Sequence, residues 1–179
     1  MMAPAQQRGV TLIEVLIAMV LMAFGLIGIA ALQTTALSSN VISGQYTQAS
    51  LLAQNLAERM RGNRIGVLNN NSLQAAGAVG NPAVNCATAS CTPAQQAQWD
   101  LAVWYASAAP GVSLANVPAG PSANLAGAIV SVTCAVTCDA NTARIITVYW
   151  DGDNNGASGT GCNASSATDL RCLRLPYLP

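Results

Sequence analysis

From Val15 to Leu32 every residue is apolar or glycine, a run of 18. At 1.5 Å rise per residue, a helix of that length measures roughly 27 Å, about the hydrocarbon thickness of a bilayer. The pattern then changes without a break. Through QTTALSSNVISGQYTQASLLAQNLAERMRGNR there is no proline, and Ala49, Leu52, Leu56 and Met60 recur at helical spacing. A membrane-length helix thus runs directly into an amphipathic one. The pattern predicts one helix over residues 10–63, on the order of 75 Å long, with 15–32 as its membrane-spanning part. Arg59, Arg61 and Arg64 near its end, with Gly62 as the stop, match the chemistry of a helix C-terminus.

Beyond that helix the periodicity lapses. Residues 64–92, rich in Asn, Ala and Gly, read as a connecting loop. A globular domain over 93–179 follows. In TPAQQAQWDLAVWYASAAPG, Thr92 is a helix cap, Pro93 suits the first helical position and Pro110-Gly111 is a stop, predicting a short helix over 93–108. Ala97, Leu101 and Trp104 share one of its faces; Trp99 and Trp104 read as packing residues. After residue 127 the pattern turns to strands: Ala128 to Cys138, Arg144 to Trp150 and Arg171 to Leu178, the first two joined by a hairpin-length DANTA. The fold class is α+β, a long N-terminal helix with a short second helix on a small antiparallel sheet.

Composition narrows the chemistry. Formal net charge is zero, only 8% of the 179 residues are charged, and there is neither Lys nor His. Electrostatic nucleic-acid binding needs clustered cations, so nucleic acid is not favoured as a partner. Without His the commonest general base and metal ligand is missing, and no GxSxG or phosphate loop is present, so no catalytic site is expected. Six cysteines, Cys86, Cys91, Cys134, Cys138, Cys162 and Cys172, all lie after the apolar run. An even count downstream of a membrane segment reads as disulfides, with a zinc site the alternative. Sequentially adjacent pairing (Cys86 with Cys91, Cys134 with Cys138, Cys162 with Cys172) is the expected one of 15 connectivities.

One residue does not fit a plain membrane anchor: Glu14, in the first turns of the apolar helix. A charge near a bilayer centre costs about 2.5–3.5 kcal/mol. A cleaved secretory signal would be shorter and end in a small-x-small site, and a simple anchor leaves the carboxylate unexplained. GVTLIEVLIA, after a short leader containing Arg8, resembles the signal of type IV prepilins. That resemblance implies a leader over 1–9, cleavage after Gly9 by a prepilin peptidase and N-methylation of Val10. It also implies an assembly role for Glu14, the fifth mature residue. The family's usual first mature residue is Phe, and here it is Val. LAERMRGNR, a Cys-bearing loop, DLAVWYASAAPG and ITVYWDGD follow in the order of minor pilins called type IV pilus modification protein PilV. This resemblance implies a single-pass inner-membrane precursor, N-terminus cytoplasmic and C-terminal domain periplasmic. It implies entry into the pilus with other minor pilins and the major pilin, a part in priming assembly, and an influence on adhesion near the tip. A pseudopilin of a type II secretion system and a DNA-uptake pilin are the alternatives. For the latter, Arg144, Arg171 and Arg174 are the cations available in the sheet.

DGDNNG places Asp151, Asp153 and Asn155 as in the opening of a calcium loop, but its twelfth position is Cys162 where a bidentate Glu belongs. An ordinary Asp/Asn turn is the competing reading, so no cofactor is expected and calcium stays a secondary candidate.

Overall fold

The computed structural model describes residues 11–118 and 125–179. The chain divides into two units within its first helix, between Val41 and Ile42. That helix, α1, is Leu12–Gly62, 51 residues without interruption. Within the first unit its side chains are exposed all round, among them Leu12, Met22, Phe24 and Leu32.

In the second unit α1 becomes one-sided. Ala49, Ala53, Leu56, Ala57 and Met60 are buried, with Leu52 beside them, whereas Leu51 stays exposed. Spacings of three and four put these residues on one stripe.

Gly62 ends α1, and Asn63 caps a second short helix, α2 (Arg64–Leu68), by accepting from the Gly66 N–H. Arg64 therefore opens α2 and does not sit at the C-terminus of α1, contrary to the reading of it as an end-charge. The loop expected over 64–92 also contains a strand, β1 (Gln74–Gly77). Both elements are four or five residues long, too short for periodicity to reveal.

The next helix, α3 (Pro93–Ala108), starts with a reciprocal cap. Thr92 Oγ1 accepts from the Gln95 N–H, and Gln95 Oε1 accepts from the Thr92 N–H at 2.9 Å. Ala97, Leu101 and Trp104 face the core, and the Trp104 indole donates to the Leu52 carbonyl at 2.7 Å.

Strands β2 (Ile129–Cys134), β3 (Arg144–Trp150) and β4 (Arg171–Tyr177) complete an antiparallel sheet in the order β1-β2-β3-β4. In register, Val132 faces Ile146 and Ile146 faces Leu175. Val130, Val132, Ile146, Val148 and Trp150 fill the core with the helical stripe. On the other face Ser131, Thr147 and Tyr149 are also buried, and Ser131 Oγ meets Tyr149 Oη at 3.3 Å. β3 is covered on both sides, which explains its nearly unbroken apolar run. β2 ends at Cys134, earlier than expected: Cys134 and Cys138 are bonded, Cα atoms 5.4 Å apart, and a loop closed that tightly cannot remain extended.

Candidate functional site

The N-terminal segment carries the chemistry that the sequence singles out. Gly9 and Val10 lie outside the described residues. Glu14 is on the first turn of α1, its N–H donating to the Thr11 carbonyl at 3.1 Å. It is exposed, and among the described residues its carboxylate has no ion-pair partner. The helix around it holds an 18-residue apolar stretch, long enough to cross a membrane, in which no residue is buried. An acidic group at the N-terminal end of a helix lies favourably in the helix dipole. Next to it the helix offers only apolar surface.

The second unit is tied together by polar bonds that hydrophobic patterning does not reveal. Gln45 on α1 accepts from the Trp150 indole at 3.2 Å and donates to the Gly152 carbonyl at 3.0 Å. Tyr46 meets the Trp150 ring edge-on at 5.0 Å. One turn of α1 is thus latched to the end of β3. Further along, Asp100 on α3 accepts from Gln96 Nε2 at 3.0 Å and faces Arg59 Nη1 at 3.4 Å. Burial pushes the Asp100 carboxyl above its ordinary value, and Gln96 and Arg59 pull it partly back.

Arg144 is the least expected of these residues. It is 1% exposed, and no carboxylate pairs with it among the described residues. Its guanidinium donates to the carbonyls of Asp139, Thr142 and Val67 and to Asn70 Oδ1, at 3.1, 2.9, 3.4 and 3.0 Å. Asn70 holds its position at a φ of 61°, a conformation that Asn tolerates better than most residues. Arg144 therefore joins α2, the Asn70 turn and the β2–β3 loop. It is not a surface cation, which corrects the reading of it as available to DNA. Arg171 is paired with Asp153 at 3.0 Å, and Arg174 alone of the three sheet arginines is exposed.

The cysteines pair Cys86–Cys91, Cys134–Cys138 and Cys162–Cys172, and among the described residues none is free. In the DGDNNG loop, Asp151 Oδ2 accepts from the Gly156 N–H at 2.7 Å. Its burial works to raise its pKa, but the N–H groups of Gly156, Asn155, Asp153 and Asn154 prevail and hold it below the ordinary value. Asp153 is engaged by Arg171, and Asn155 Oδ1 accepts from the Ala157 N–H at 2.9 Å. The candidate calcium ligands are thus bound to the protein's own donors.

Two family models match. Residues 4–30 match the prokaryotic N-terminal methylation motif, and residues 31–102 match the Tt1218-like model, described as type IV pilin Tt1218. No curated protein and no solved structure matches the chain.

Proposed function

We propose that this chain, a type IV pilin by the domain and the methylation motif it carries, acts as a minor pilin that helps to prime pilus assembly and enters the filament. A type IV pilin is a structural protein, not an enzyme, and the motif implies processing by prepilin peptidase and assembly with other pilins. The apolar N-terminal helix fits membrane anchoring before assembly. In the finer reading, the peptidase cuts after Gly9, Val10 becomes the methylated N-terminus, and the folded unit lies in the periplasm.

The observation that carries this reading is Glu14, an unpaired carboxylate on an exposed apolar helix. Alone in lipid it is a liability. Beside the N-terminal amine of a neighbouring subunit, in a low-dielectric surround, it becomes a strong and directional contact. The carboxylate then selects the register in which helices pack, as buried polar groups do in coiled coils.

Mass spectrometry of sheared surface filaments should find an N-methylated Val10 peptide. Glu14→Ala should still reach the membrane and be cleaved, yet its abundance in filaments should fall about tenfold, the equivalent of about 1.4 kcal/mol. Incorporation of Glu14→Ala at the normal level would remove the register argument. Deletion that spares pili but abolishes protein secretion would favour the pseudopilin alternative.

A further inference from the structure

A cleft of about 320 Å³ opens on the second unit between β1, the segment after it and α3. That volume is at the small end of ligand pockets, which run about 300–1,000 Å³. Four side-chain amides line it: Asn71, Gln74, Asn81 and Gln98. Leu73 supplies exposed apolar surface between them, Pro82 closes the wall as a buried residue, and none of the lining residues is charged.

These amides have hydrogen-bonding capacity to spare. Among the described residues the side chains of Asn71 and Gln98 have no hydrogen-bond partner. Gln74 uses its Nε2 on the Ala75 carbonyl at 3.0 Å, which leaves its oxygen; Asn81 uses its Oδ1 on the Ala115 N–H at 2.8 Å, which leaves its nitrogen. The wall is held in place from behind. Asn116, at a φ of 64°, donates to the Pro82 carbonyl at 3.0 Å, and its own carbonyl accepts from the Trp99 indole at 3.4 Å. The segment carrying Asn81 and Pro82 is therefore clamped before any ligand arrives, which lowers the ordering cost of binding.

From this arrangement we infer that the cleft binds an uncharged saccharide, the terminal unit of a neutral glycan. An amide offers a donor and an acceptor side by side, which suits vicinal hydroxyls, since each hydroxyl also gives one bond and accepts others. The C–H face of a sugar ring packs on the exposed Leu73 side chain. A phosphate, carboxylate or sulfate would find no cation in the wall to offset its desolvation. The site goes beyond the assembly role and is independent of Glu14.

The test uses the full-length chain in nanodiscs of phospholipids without sugar headgroups. Saturation-transfer NMR is run with D-glucose, D-galactose and N-acetyl-D-glucosamine, with sialic acid as the anionic probe. At least one neutral sugar should give a signal, and sialic acid none. The Asn71→Ala/Gln98→Ala variant should bind that sugar about tenfold more weakly, as expected for two lost hydrogen bonds of about 0.5–1.5 kcal/mol each. Gln98→Ala alone, on the exposed face of α3, should show a several-fold loss and covers the case in which the double variant folds poorly. Silence from every neutral sugar, equal binding by the variants, or stronger binding of sialic acid would overturn the inference. Filament incorporation of the same variants should be unchanged, so a failure here is separable from a failure of the assembly reading.

Discussion

Asp100 illustrates how a single residue sets a pH dependence. Its carboxyl is buried against α1, and desolvation outweighs the help from Gln96 and Arg59, so its folded pKa is above the ordinary 3.8. A raised carboxylate pKa means the folded state holds the proton more tightly than the unfolded chain does. Its contribution is therefore fully present below the ordinary value and is lost as pH rises through the raised one. Asp100→Asn removes the charge and keeps the shape. At neutral pH it should exceed the parent in thermal stability, and the advantage should vanish at a pH near the ordinary carboxylate value. Melting followed by circular dichroism at the two pH values checks this, and a gap that does not change with pH would contradict it. Asp151, with its pKa lowered, has the opposite sign: its contribution is present above 3.8 and is lost as pH falls through the lowered value. Replacing Arg144 by Met should cost about 2–4 kcal/mol, because the Val67 carbonyl loses its donor in a buried place and the Thr142 and Asp139 carbonyls and Asn70 Oδ1 lose theirs in partly buried ones. Equal melting temperatures for Arg144→Met and the parent would show that water replaces the guanidinium. None of these roles is legible in the sequence. An Asp in a helix and an Arg at a strand start look like surface residues until the elements that bury them are in place.

At the scale of elements, local signals decide some outcomes and neighbours decide others. α3 was legible because Thr92, Pro93 and Gln95 satisfy the free N–H groups of its first turn and Pro110 bars its extension. α2 and β1 were not. β1 extends because the edge of β2 offers it partners, Gln74 opposite Val132 and Gly77 opposite Val130, and not because QAAG favours a strand. At the other edge, Cys162–Cys172 ties β4 to the loop that precedes it. Replacing both cysteines by Ser should cost about 2–3 kcal/mol from the freed loop. The same double variant should speed hydrogen exchange in β4 more than in β3, which is flanked on both sides. Uniform exchange across the sheet would mean that the staple does not act locally.

For the molecule as a whole, charge and apolar surface set what it can associate with. Of the described arginines, Arg59, Arg61 and Arg171 face carboxylates and Arg144 is buried, leaving Arg64 and Arg174 as exposed cations without one. Two separated charges release few counterions, so duplex DNA should not bind measurably at physiological salt. A fluorescence-anisotropy titration at about 0.15 M salt checks this; salt-dependent binding would revive the DNA-uptake alternative. The sequence by itself determined the membrane-length apolar run, the displaced carboxylate at Glu14, the continuous helix and the α+β class. Each of these is written in residue type and spacing along one segment, where chain neighbours supply the physics. Tertiary structure alone decided the burial of Arg144, the Asp100–Arg59 pair, the Gln45–Trp150 latch, the edge strand β1 and the amide-lined cleft. Each joins groups far apart in the chain. Whether a polar side chain is solvated, paired or left with free hydrogen-bonding capacity depends on which distant segment folds against it.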